Sequence, residues 1–169
     1  DSATIIANGG KYSYMTFGLI NGFNDKYESM EAFYFGKETR SNSVPTVGIA
    51  RFNGNIAGFD GAKIGIAKNG VVIGMPVYFD VDYGNKTIKG EAVYPGGTGK
   101  LAFEDGTISD NRFEGSLQHI DANNKDFSLD GKFDGSFYGP NAEELGGIAT
   151  IYKAYNGEDL ALPFGAKRE

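Results

Sequence analysis

The chain has 169 residues, which suits one domain with a sizeable core. Its 16 Lys and Arg against 22 Asp and Glu leave a formal net charge of −6; the charges are scattered, so nucleic acid and anionic lipid are disfavoured as partners. The absence of Cys excludes disulfides, thiolate metal sites and cysteine nucleophiles, and no stretch approaches the ~18 apolar residues of a membrane-spanning helix.

Glycine takes 26 positions and Phe and Tyr take 13 and 10, while Pro takes only 5. That combination predicts many short strands joined by tight turns. Period-2 apolar alternation dominates along the chain. Strands are predicted at Lys11–Ile20 and Met30–Gly36, followed by a polar loop at Lys37–Val44. The next strand spans Thr46–Phe52, with Asn53-Gly54 as a hairpin signal. Asn55–Ala67 continues extended, interrupted at Asp60-Gly61, and Asn69-Gly70 is a further hairpin signal. Pro76–Tyr83 alternates cleanly, with Val77, Phe79, Val81 and Tyr83 on one face. Gly84-Asn85 turns into Thr87–Tyr94, and Pro95–Gly99 is another turn.

Lys100–Phe103, Arg112–His119 and Phe127–Tyr138 follow as strands, the first two separated by a turn at Asp105-Gly106. In the third, Phe127, Leu129, Gly131, Phe133, Gly135 and Phe137 share a face that alternates large and small side chains. The tapering interior of a small barrel requires such alternation. Residues 139–147 read as a tight connection with one helical turn. Ile148–Tyr155 reads as the last strand, and 156–169 as a tail. The fold class is thus all-β, an eight-stranded antiparallel barrel with extra N-terminal strands or loops. It forms one domain over 1–169, with N-terminal strands and loop at 1–45, barrel core at 46–155 and tail at 156–169. An interior this rich in Phe is expected to be filled.

No constellation carries catalysis. The single His, His119, falls at a strand end on the inner face, near a barrel mouth. It reads as a histidine satisfied locally; the sharper alternative is an axial haem ligand or a pH-sensitive contact. The pairs Asp80/Asp82 and Asp130/Asp134 lie on outer faces, where carboxylates are solvated rather than poised for paired-acid hydrolysis. Gly96-Gly97-Thr98-Gly99-Lys100 lacks the spacing and the following helix of a phosphate loop, and reads as a hairpin turn. Tyr78, Tyr94, Tyr138 and Tyr155 are candidates for partial exposure, and exposed tyrosine suits a protein interface.

The segment Asp130–Gly147 (DGKFDGSFYGPNAEELGG) resembles the barrel signature of the transferrin-binding protein B family of Gram-negative surface lipoproteins. Phe79–Gly90, Arg112–Gly115, Tyr12–Gly18 and the closing Phe164–Glu169 add matches in the same order. The closing segment also resembles the barrel of the neisserial heparin-binding antigen. The resemblance implies an eight-stranded barrel, a lipid anchor on an upstream segment as the only membrane attachment, and a place at the outer-membrane surface or in secreted form. It also implies a host partner, an iron- or haem-carrier protein or an adhesion target. Phe137, Tyr138, Gly139, Pro140, Asn141, Glu143, Gly146 and Gly147 carry the motif and read as structural rather than ligand-binding. The loop Lys37–Val44 and the turn Pro95–Gly99 are the candidate contact regions. The resulting reading is a binding protein without enzymatic activity and without a required cofactor. Haem binding through His119 or a tyrosine, and a barrel that merely supports another binding domain, are the alternatives.

Overall fold

The computed structural model describes residues 2–7, 11–24, 27–57, 73–97, 99–121, 123, 126–155 and 157–169. The hairpin signals at Asp60-Gly61 and Asn69-Gly70 lie outside them. Three N-terminal strands, β1 (Ser2–Ala7), β2 (Met15–Asn24) and β3 (Tyr27–Gly36), form an antiparallel sheet in chain order. Eight further strands follow: β4 (Ile49–Ala57), β5 (Ile73–Asp82), β6 (Thr87–Val93), β7 (Gly99–Ser109), β8 (Arg112–Asp121), β9 (Asp126–Tyr138), β10 (Glu144–Tyr155) and β11 (Glu158–Arg168). They close into an antiparallel barrel in which each strand pairs with its chain neighbours and β11 pairs with β4. Closure leaves the barrel without an open edge.

An eight-stranded barrel is just wide enough to be filled by side chains, and here phenylalanines fill it. Phe52, Phe79, Phe103, Phe113, Phe133, Phe137 and Phe164 are all buried. Phe79, Phe103 and Phe164 are mutually packed at centroid separations of 4.9, 5.1 and 5.6 Å. Phe133 meets Phe103 edge-on at 5.1 Å, and Phe113 meets Phe137 edge-on at 5.5 Å. These are the offset and edge-to-face geometries that the ring quadrupole favours. The large–small alternation anticipated for β9 has a reciprocal form. Phe113 on β8 lies opposite Gly135 on β9, and Gly115 opposite Phe133. A Cβ at either glycine would stand 2.5 Å from the facing ring, so each ring needs the bare backbone opposite it.

Several boundaries differ from the sequence expectation. Residues 156–169 are not a tail: β11 is the strand that closes the barrel, with Leu162, Phe164 and Ala166 in the core. Pro163 obscured it, because a proline inside an apolar run argues against a strand. The barrel therefore extends past 155 to Arg168, and Ile148–Tyr155 belongs to the penultimate strand. The 139–147 segment contains no helix: a turn at 139–142 leads straight into β10 at Glu144. Asn53-Gly54 makes no hairpin; both residues sit inside β4, where Gly54 lets the backbone of β11 approach. Asp105-Gly106 is a register shift within β7 rather than a turn, with Asp105 at φ +51°. Such a bulge sharpens strand curvature. The reversal itself comes at Asp110 and Asn111. Finally, Tyr94 and Tyr138 are buried rather than partly exposed, Tyr138 because the N-terminal sheet lies over it.

Candidate functional site at the sheet–barrel junction

The N-terminal sheet is seated on the outer wall of the barrel by small residues and one carboxylate. Met15 fits over Gly146 and Phe17 over Gly165; a Cβ at those glycines would come within 2.1 Å of the Met15 methyl and 2.6 Å of the Phe17 ring. Glu144 is fully buried beside them. Its carboxylate accepts from the backbone N–H groups of Ser13 (2.6 Å), Tyr14 (2.9 Å) and Met15 (3.1 Å). A buried carboxylate is tolerated when its oxygens are satisfied in this way. The Tyr12 hydroxyl donates to the Gly165 carbonyl at 2.8 Å, and burial pushes its pKa up to about 12.

The family-like motif builds the turn next to this seat. Gly139 has φ +93° and Ala142 φ +57°. The Asn141 N–H donates to Glu143 Oε2 at 2.9 Å, and Arg168 Nη1 donates to the Asn141 carbonyl at 3.0 Å. Burial acts to raise the Glu143 pKa, but the Asn141 hydrogen bonds and nearby Arg168 outweigh it and hold the carboxyl below its ordinary value. The loop Lys37–Val44 is stitched to the same turn. Thr39 N–H donates to the Phe137 carbonyl, Gly139 N–H to the Lys37 carbonyl, and Thr39 Oγ1 to the Gly139 carbonyl at 2.7 Å. Val44 then buries in the barrel core. Much of this loop is therefore structural, although Glu38, Arg40, Ser41 and Asn42 remain exposed.

Between β3 and the barrel wall lies an open groove of about 450 Å³, lined by Tyr34, Phe35, Gly36, Glu38, Arg112 and Tyr138. Arg112 Nη2 donates to the Tyr34 hydroxyl at 3.2 Å, and Nη1 lies 3.6 Å from Glu38. The Tyr34 hydroxyl in turn faces Asp134 at 3.5 Å. Phe35 is 62% exposed and stacks on Phe33 at 6.0 Å. Tyr34 and Arg112 beside exposed Phe35 are of the residue types enriched at protein-binding hot spots and interface cores.

The other candidates lie at the opposite end of the barrel. His119 is half-buried there, its Nδ1 2.6 Å from the Tyr94 hydroxyl and its ring 5.1 Å from the Tyr94 ring. Burial raises the Tyr94 pKa. The Pro95–Gly99 segment closes the β6–β7 hairpin, with Tyr94 N–H bonded to the Gly99 carbonyl at 3.0 Å and positive φ at Gly96, Gly97 and Gly99. The structure thus brings the motif residues and the Lys37–Val44 loop together, and keeps His119 and Pro95–Gly99 apart from them. Sequence reasoning did not single out Glu144, Arg112, Tyr34 or Phe35. Glu144 was visible inside the motif; nothing in the sequence placed the other three against one another.

Taken together, a filled antiparallel barrel with a small sheet docked on its wall defines a two-part all-β scaffold. The family described as the C-lobe and N-lobe beta barrels of Tf-binding protein B matches residues 44–168, and the chain belongs to that family. It is 30% identical over 176 residues to transferrin-binding protein B of Moraxella catarrhalis, covering 95% of this chain and 24% of that protein. It is 31% identical over 180 residues to the Haemophilus influenzae Rd protein of the same name, covering 87% of this chain and 26% of that one. The chain thus spans about a quarter of the length of these relatives. Among solved structures, a transferrin binding protein B variant from Haemophilus parasuis Hp5 superposes with TM-score 0.68 at 26% identity, over 98% of this chain and 34% of that one. HpuA from Kingella denitrificans, solved in complex with human haemoglobin, shares the fold with TM-score 0.70 at 13% identity, over 94% of this chain and 56% of that one.

Proposed function

We propose that the chain is a module that binds an iron- or haem-carrying host protein, displayed on a Gram-negative cell surface through a lipid anchor on an upstream segment. The observation that carries this reading is the N-terminal sheet locked onto the barrel by Glu144, Met15 and Phe17. The lock holds an exposed aromatic groove in a fixed position against the barrel wall, as a preorganised protein-binding surface requires. Family membership supports the partner class, since the relatives include proteins named for transferrin and a structural neighbour solved with haemoglobin. Because the barrel interior is filled with phenylalanine rings, the partner binds outside the barrel. Biolayer interferometry of the immobilised chain against transferrin and haemoglobin tests the reading. Saturable binding of one carrier is expected; binding of neither would return the module to the role of a structural support for another binding domain.

A further inference from the structure

The groove beside β3 allows the partner's chemistry to be named, on the premise that the carrier-binding reading holds. Tyr34, Phe35 and Gly36 are consecutive, and successive strand residues point to opposite faces, yet all three line the groove. The groove therefore opens onto the edge of β3. The Lys37 N–H donates to the Tyr14 carbonyl, and Gly36 stands opposite Met15 in register. Antiparallel bonding alternates every second residue, so the main-chain groups of Phe35 face β2 while those of Tyr34 and Gly36 face the groove. Among the described residues β2 is the only strand paired with β3. An unpaired edge of this kind accepts another strand.

The charge around the edge is one-sided. Arg112 is the cation in the groove, and it is engaged with Tyr34 and Glu38. Asp134 lies behind Tyr34, and exposed Glu114 stands opposite Asp134 in register. Lys132, the next outward residue on β9, falls in the row of Glu104. Lys37 and Arg40, exposed on the loop that follows β3, are not among the residues lining the groove. Glu38, Asp134 and Glu114 thus outnumber Arg112 around this edge, beside exposed Phe35 and half-buried Phe33.

We propose that this groove takes an extended segment of a partner protein that alternates lysine or arginine with apolar residues and adds to β3 as a fourth strand of the N-terminal sheet. The basic side chains reach down between Glu38, Glu114 and Asp134, where each gains a carboxylate partner. The apolar ones lie against Phe33 and Phe35. Main-chain bonds to Tyr34 and Gly36 set the register.

The test is a selection from a random dodecapeptide phage library on the immobilised full chain, followed by affinities of the enriched peptides. Peptides alternating Lys or Arg with apolar residues are expected. They should bind at least tenfold more weakly to Phe35→Ser and to Glu114→Lys, and should shift the amide resonances of Tyr34–Glu38. Both substituted side chains are exposed, so unchanged unfolding midpoints certify the fold of each variant. Enrichment of acidic or uncharged peptides, equal affinity for the variants, or no enrichment would overturn the proposal. Carrier binding that ignores both substitutions would overturn it while leaving the carrier-binding reading intact; peptide selection as expected without carrier binding would do the reverse.

Discussion

The barrel and the N-terminal sheet are held by different physics. The barrel closes on itself, and its rings contact one another around the whole interior. The sheet has one covered face and two edges, and it holds to the barrel through Met15, Phe17, Tyr12 and the Glu144 carboxylate. A filled closed core spreads its stability over many contacts, whereas a docked sheet concentrates it in a few. The two parts should therefore open with separate free energies, the sheet first. The difference also decides where a further strand could add. A closed barrel has no spare edge, so among the described residues an unpaired strand edge is available only on the added sheet.

The comparison breaks most sharply at Phe164, which packs against Phe79, Phe103 and Phe113. Phe164→Ala is expected to cost about 3–5 kcal/mol of global stability through lost burial and a residual cavity, read as a lowered urea midpoint with an unchanged slope. A second substitution acts on the other part alone. Glu144→Ala strands three backbone donors at the seat of the sheet, at roughly 1–3 kcal/mol for a buried donor left unpaired. Hydrogen exchange should accelerate at Ser13–Met15 and along β2 while β7–β9 keep their protection. Equal acceleration in both parts would show that sheet and barrel unfold as one unit.

Acid sharpens the same contrast. Asp80 is held below its ordinary value by its hydrogen bonds from Arg51, Asp82 by those from Asn85, and Glu143 by those from Asn141 against the opposing effect of burial. A carboxyl depressed in the folded state stabilises the fold above its unfolded value, about 4, and loses that contribution as pH falls through the folded value. All three sit on barrel strands or the β9–β10 turn. Thermal midpoints should thus be flat above about pH 5 and fall below about pH 4, with Asp80→Asn shrinking the fall. The smallest effect is expected at His119→Ala, which removes the Tyr94 contact at 2.6 Å. It should cost about 1 kcal/mol, the net value of an ordinary hydrogen bond, and leave carrier binding unchanged. A lost carrier interaction in that variant would move the site to the other end of the barrel.

Much of the barrel was legible in sequence because a strand with one buried face must alternate, and Pro76–Tyr83 and the Phe133–Phe137 stretch do so plainly. Glycine pairs misled at Asn53-Gly54 and Asp105-Gly106. The same dipeptide serves a hairpin, a bulge or a close strand approach, and only the neighbouring backbone decides which. Pro163 hid β11 for a related reason. The motif was recognisable as a string, but its work was not. That Gly146 and Gly165 receive Met15 and Phe17, across more than a hundred residues of chain, depends on how the sheet lies on the wall.

The sequence by itself determined the all-β class, the large–small alternation of the inner face and the acidic balance, because these follow from local period and composition, and the family, because the Asp130–Gly147 string resembles its signature. Only the tertiary structure decided that β11 closes the barrel, that Glu144 clamps the sheet, and that Tyr34, Phe35, Glu38 and Arg112 share one groove. Each of these is a meeting of segments distant in the chain, set by strand register and closure, which no local pattern encodes.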